Sequence, residues 1–411
     1  MSASEMGLGK TIQGIAYTSR NNFKTLVICP AYLKYNWANE IKKFTYDTVD
    51  FLSADNVPTS QYVIINYEMI HTVVDIIPNM GFECAILDES QYMMNLKSKR
   101  TMITAPIVKQ IPRRILLSGT PIKNKVIEYF SQVDIIKPGF CDKKVYNEKF
   151  VGKKINLKNH DVDTSKLKDL NLFLRDMVIR HRKKDVLKDL PDKVFQSVPI
   201  DLPGNILCPL KGITGLEYIT RAKQLLSKAK IKECVNLIKD HIAQNSKVIV
   251  YSQHLENIHE LYKNFESNAV LHYGGINSMQ RQANVDRFQT DPNCNVLVGN
   301  IDTAVGYTAT SADTVIFLDL PWSPSDLKQA EDRAHRIGQK NAVTVKYLIA
   351  RGTLDEQILK LLQSKEKILL GSLDGKMSNE SMDIKQELLE SLNMEQPKVN
   401  TSRKSGWGRR A

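Results

Sequence analysis

Three groups of residues in this sequence have types and spacings suited to chemistry on a polyphosphate. The first is Glu5-Met6-Gly7-Leu8-Gly9-Lys10-Thr11. Glycines let backbone N–H groups turn inward around phosphate oxygens, and a following helix adds the positive end of its dipole. The apolar positions Ile12, Ile15 and Ala16 predict that helix. In such a loop Lys10 reaches the β- and γ-phosphates and the Thr11 hydroxyl ligates Mg²⁺. Ser4 departs from the usual pattern, which has glycine there. The second group is Asp88-Glu89, directly after the apolar run Ala85-Ile86-Leu87. A carboxylate at a strand end holds Mg²⁺ through water, and its neighbour can activate an attacking water. The third is Gln329–Gln339, with Arg333 and Arg336 at i, i+3. On a helix those two share a face, from which guanidinium groups can reach a γ-phosphate across a cleft. Taken singly, these are a glycine turn, a solvated acidic turn and a salt-bridged surface helix. Their presence together favours the chemical reading.

The elements that must position them alternate. Thr25–Cys29, Tyr62–Asn66, Ala85–Leu87 and Arg114–Leu117 read as short buried parallel strands, and the face Trp37, Ile41, Phe44 as a helix between the first two. The last strand ends in Ser118-Gly119-Thr120-Pro121, whose hydroxyls could relay nucleotide state to DNA, although such a run taken alone is only a turn. From about Cys141 to Pro203 the alternation stops in a basic, helical stretch containing Arg180-His181-Arg182-Lys183-Lys184, and Pro199 to Pro209 reads as a connector. A second alternating unit follows, with strands at Lys247–Tyr251, Val270–Tyr273, Asn295–Gly299, Thr314–Asp319 and Val343–Tyr347, closed by a helix at Leu354–Leu370. Functional residues at strand C-terminal ends mark a doubly wound α/β sheet. The expected division is an ATP-binding lobe at 1–200 with a basic insertion at about 141–200, a C-terminal lobe at 201–370, and a polar, disordered tail at 371–411.

A length of 411 residues accommodates such lobes, and 42% hydrophobic with 25% charged residues is ordinary for a globular protein. No apolar run approaches the roughly 18 residues of a membrane span, and no signal sequence opens the chain. Six cysteines, none in a C-x-x-C pair, argue for reduced thiols inside a cell and against zinc. The net charge of +12 suits a polyanionic partner.

With these pieces in order, the chain resembles the Swi/Snf family of DNA-dependent ATPases in helicase superfamily 2. The matching stretches are Glu5–Gln13, Val27–Pro30, Asn66–Glu68, Asp88–Ser90, Leu117–Pro121 with Asn124, Val248–Gln253, Gly274 with Arg281, Gly306, Ala312-Asp313, Trp322 with Pro324, and Gln329–Gln339. Within the family it is most similar to the annealing-helicase subgroup, through Arg180–Pro191, Gly306–Asp313 and Tyr347–Thr353. The resemblance implies two RecA-like lobes that close on ATP and Mg²⁺, and a monomeric motor that tracks on duplex or branched DNA. Lys10 and Thr11 would hold phosphate and Mg²⁺. Asp88 and Glu89 would be the metal-binding and water-activating pair, with Gln91 beside them, and Arg333 and Arg336 the arginine fingers. Glu5 to Gly9, Gly306 and Gln339 join the nucleotide contacts. Ser118, Thr120, Arg180, Lys183 and Trp322 are expected to face DNA, although Trp322 could equally be core. Gln91 stands where the family usually has His, Ser4 where it has Asp, and His181 interrupts an Arg-Arg pair. With three residues ahead of Ser4, no strand precedes the loop and the family's adenine-reading glutamine is missing. An open sheet edge and weak base selectivity are therefore expected. A strand-separating RNA helicase and a DNA-binding relative without turnover are the competing readings.

Overall fold

The computed structural model describes residues 1–119, 127–151, 172–373 and 384–391. Two parallel sheets organise them. The first has the order β2-β3-β1-β4-β5, with β1 Thr25–Cys29, β2 Val49–Phe51, β3 Tyr62–Asn66, β4 Cys84–Leu87 and β5 Arg113–Leu116. Strands β1, β3 and β4 are buried along their whole length, which is why they read as unbroken apolar runs. Helices α1 (Lys10–Arg20) and α2 (Lys34–Phe44) cover one face, where Ile15, Trp37 and Ile41 pack on Val27, Ile64 and Ile86. Helices α3 (Lys99–Gln110) and α4 (Ile127–Ile136) cover the other, where Val108 and Ile135 meet Leu26, Ile28 and Ala85. Phe44, expected on the buried face of α2, is exposed at the helix end. The edge strand β2 has no buried residue and gave no apolar run to read.

The second sheet has the order β6-β11-β10-β7-β9-β8, with β6 Lys193–Ile200, β7 Val248–Ser252, β8 Ala269–His272, β9 Val296–Asn300, β10 Thr314–Phe317 and β11 Val343–Ala350. Helices at Gly215–Ala229 and Leu354–Leu373 pack on one face through Ile219, Leu226 and Ile358. Those at Ile231–Ala243 and Leu255–Lys263 pack on the other through Cys234, Ile238 and Leu261. Strand β6 corrects the expected helical insertion and connector. It pairs with β11 from Lys193↔Val343 to Ile200↔Ala350, so these residues form an edge strand of the second sheet. As an edge strand it leaves Val194 and Phe195 exposed and accommodates Pro199, so its pattern does not resemble a buried strand.

The start of the chain also differs from expectation. Ser2 makes parallel bridges to both Leu117 and Ile179. Ser2 N–H donates to Leu116 O (2.8 Å), Ser118 N–H to Ser2 O (3.0 Å), Ala3 N–H to Ile179 O (2.8 Å) and Ile179 N–H to Met1 O (2.9 Å). Residues 1–5 therefore fill the slot beside the end of β5, and the edge there is not open. A segment this short carries no periodicity, so only the fold reveals its pairing. In the tail, the helix Ile384–Ser391 buries Ile384, Leu388 and Leu389 in the second core, which overturns disorder for that part. Thr120, Pro121, Asn124, residues 374–383 and residues 392–411 lie outside the described residues. No described helix is long and apolar enough to cross a membrane.

Candidate active site

The glycines of the first loop adopt left-handed backbone, Gly7 at φ +80° and Gly9 at φ +70°. Gly7 is doubly constrained, because a Cβ there would lie 2.9 Å from Arg336 Cβ. Helix α1 begins at the next residue after Gly9, Lys10, with no side-chain cap and no acidic residue in its first turn. Its leading N–H groups are thus left for an anion. Lys10 Nζ donates to Ser4 O (2.9 Å) and Glu5 O (3.1 Å). Burial pushes its pKa down to about 8, opposed by Glu89 and Asp88 and reinforced by Arg333 and Arg336. Those four charges, drawn from both lobes, converge on one ammonium group. Thr11 follows in the first turn, half-buried.

Asp88 leaves the end of β4 and is gripped from two sides. Trp37 Nε1 donates to Oδ2 (2.8 Å) and Glu89 N–H to Oδ1 (2.9 Å), while the Tyr67 hydroxyl holds its carbonyl (2.8 Å). Burial and then Glu89 push the Asp88 carboxyl up to about 6. Glu89 has φ +49°, a left-handed turn unusual for a residue with a side chain. Gln91 Nε2 donates to Glu89 Oε2 (2.5 Å), and Ser118 Oγ donates to Gln91 Oε1 (2.7 Å). Ser118, expected to face DNA, is 1% exposed, and its hydroxyl is turned to Gln91.

From the second lobe, Pro324 starts a helix that ends at Glu331, with Ser323 accepting from Asp326 N–H (3.4 Å). Arg333 and Arg336 lie beyond that end, so they do not share a helix face as expected. Their convergence has another cause: Arg333 Nη1 (3.0 Å) and Arg336 Nη1 (3.2 Å) both donate to Tyr307 O. Arg333 Nε also donates to Gln329 O (3.0 Å), and its Nη2 lies 3.6 Å from Met6 Sδ in the loop. Burial, then Arg333, lowers the pKa of Arg336 to about 10.

Several expected ligands are engaged elsewhere. Gln339 Nε2 donates to Ala312 O (2.7 Å) and Ala334 O (3.1 Å), while its Oε1 accepts from Lys340 N–H and Asn341 N–H (both 2.9 Å), so it closes the turn. Gly306 packs against the first lobe: a Cβ would meet Leu33 Cδ2 at 2.3 Å. Glu5 spans the lobes, accepting from Lys183 N–H (2.7 Å) and lying 3.5 Å from Lys328 Nζ. Lys183, expected to face DNA, is 8% exposed and bonds to the second lobe. Arg180 Nη1 donates to Ala3 O (3.2 Å) and is half-buried. Trp322 is half-buried against the second core, with Lys223 Nζ 4.2 Å and Lys385 Nζ 5.0 Å from its ring centre. Sequence reasoning missed Tyr67 and Tyr307, and took Trp37 for core alone. Trp37 is both core and hydrogen-bond donor, and only the first role leaves a periodic trace.

An SNF2-related domain profile matches residues 1–205, and a helicase conserved C-terminal domain profile matches residues 229–338. The chain belongs to the SNF2-related family. Similar proteins include the DNA annealing helicase and endonuclease ZRANB3 of Homo sapiens, 32% identical across 92% of this chain and 39% of that protein. The Bos taurus counterpart is 31% identical, with the same coverage. The SWI/SNF-related matrix-associated actin-dependent regulator of chromatin subfamily A-like protein 1 of Xenopus laevis is 30% identical across 89% of this chain and 41% of its own length. This SNF2-related chain thus spans about two fifths of the length of these relatives. A solved structure of the Sulfolobus solfataricus SWI2/SNF2 ATPase core in complex with dsDNA is 25% identical, covering 95% of this chain and 91% of that one, with a TM-score of 0.43.

Proposed function

We propose that this SNF2-related chain is an ATP-driven motor that hydrolyses ATP in response to duplex or branched DNA and translocates along it. The observation that carries the reading is the composite site, in which Arg333 reaches Met6 and Arg336 packs on Gly7. A nucleotide triphosphate on the loop would then lie between carboxylates of the first lobe and guanidinium groups of the second.

The donor set fits the substrate. The uncapped start of α1 and Lys10 suit a polyphosphate. Asp88 and the Thr11 hydroxyl suit Mg²⁺, which takes one or two carboxylates with phosphate oxygens and keeps several waters. Among the described residues no cluster of three His, Cys, Asp or Glu side chains offers an all-protein cage. Bound Mg²⁺ would neutralise charge on the β- and γ-phosphates. Glu89, aimed by Gln91 and Ser118, would take a proton from the attacking water, while Arg333 and Arg336 would stabilise charge on the transferring phosphoryl group.

The test is steady-state ATPase activity with duplex, forked and single-stranded DNA and with RNA. Duplex or forked DNA is expected to stimulate most. Stimulation by RNA alone would favour an RNA helicase, and absence of turnover with every polymer would sink the motor reading.

A further inference from the structure

Lys183 has a position that neither phosphate binding nor DNA contact accounts for. Its backbone N–H donates to Glu5 Oε2 (2.7 Å), two residues before Gly7. Its side chain crosses to the other lobe, where Nζ pairs with Asp332 Oδ2 (2.9 Å) and donates to His335 O (2.7 Å). Those partners are the residues immediately before the two fingers, Arg333 and Arg336. A Cβ on Gly7 would meet Arg336 Cβ and, at 3.6 Å, Lys183 Cε, so the lysine stem lies beside the loop as well. With both ends engaged and 8% exposure, Lys183 has little surface for a DNA phosphate.

We infer that Lys183 is a positioning residue for both arginine fingers, fixing the Asp332–Arg336 turn relative to the phosphate loop. One buried cation anchors the turn at two points one residue upstream of each guanidinium, and its own backbone is anchored to the loop by Glu5. Movement of the loop is thereby transmitted to both fingers together. Asp332 also pairs with Lys193 Nζ (3.1 Å), so loss of Lys183 alone does not leave that buried carboxylate unpaired. Asp332 keeps one cation partner, but the turn loses the link that Lys183 makes to the first lobe. A misplacement of about 1 Å in a catalytic group can cost on the order of 10²-fold in rate.

The inference rests on the motor reading, and the test separates the two. ATPase turnover at saturating duplex DNA, nucleotide affinity by titration with a fluorescent ADP analogue, and thermal melting are measured for the wild type, Lys183→Met and Lys183→Arg. For Lys183→Met we expect kcat to fall about 10²-fold, with nucleotide affinity within about threefold of wild type and a cooperative melt retained. Lys183→Arg, which keeps the cation, should recover much of the loss. A Lys183→Met kcat within about threefold of wild type overturns the inference, as does a defect that more DNA abolishes. So does joint loss of nucleotide affinity and cooperative melting that Lys183→Arg shares. If Lys183→Met does not fold, Lys183→Arg and Lys183→Gln decide, with turnover equal between them counting against the inference. A wild type without DNA-stimulated turnover marks failure of the motor reading instead.

Discussion

In the proposed motor, Glu89 and Lys10 are where single atoms govern the chemistry. Glu89 accepts from Gln91 and stands beside Asp88, whose carboxyl is held up near 6. Glu89→Gln keeps the shape but removes the proposed base, so turnover should fall by several orders of magnitude while ATP still binds. Wild-type-like turnover in that variant would remove Glu89 from the role. Lys10 adds a pH dependence. Burial lowers its pKa to about 8, so the free protein loses this positive charge as pH rises through that value. Nucleotide affinity of the free protein should therefore weaken above pH 8, and the limb should move higher once a triphosphate favours the charged form. The same depression fixes a stability trend. Between about 8 and 10.5 the unfolded chain holds a proton that the folded chain has released, so the Lys10 contribution to stability rises with pH across that window. An affinity flat from pH 7 to 9 would contradict this placement of Lys10.

At the scale of elements, the two lobes meet through the short turn Ala31–Leu33 and the loop at Gly306. Gly306 has φ +80°, and a Cβ would collide with Leu33 Cδ2 at 2.3 Å and approach Tyr32 Cδ2 at 3.1 Å. Gly306→Ala should hold the lobes apart and lower DNA-stimulated kcat by roughly 10- to 100-fold, as expected for fingers displaced by about an ångström. Nucleotide binding by the first lobe should persist, and unchanged kcat would refute the close approach. Which elements were legible follows from burial. Strands β1, β3, β4, β7 and β9 are buried throughout and announced themselves as apolar runs. The edge strands β2 and β6 are largely solvated and did not. The loop, Asp88-Glu89 and the two arginines, which the fold brings together, stood out in the sequence because the chemistry proposed for them demands particular residue types. The engagements of Gln339, Ser118 and Lys183 were not, because each depends on carbonyl or side-chain partners that no local pattern of residue types announces.

Over the whole molecule, a net charge of +12 makes a nucleic-acid partner electrostatically favourable, but folding decides which cations remain for it. Lys183 is engaged between the lobes, and Arg180 is half-buried with one N–H on Ala3 O, so both have partners within the fold. Lys143, Lys144 and Lys149, on the short helical segment after α4, stay exposed, as do Lys184 and Lys188. Binding to duplex DNA should weaken steeply with salt, with a log–log slope of about −0.9 per phosphate neutralised. Lys143→Gln together with Lys144→Gln should flatten that slope by about 0.9 for each phosphate no longer neutralised, and should weaken all duplex sequences alike, as binding through the phosphates does. Lys183→Met should leave the slope unchanged, because its ammonium is already paired with Asp332. Measuring the slope by anisotropy for the three proteins tests the assignment directly. A strong sequence preference would point to base readout instead, and a flattened slope in Lys183→Met would return that lysine to the DNA surface.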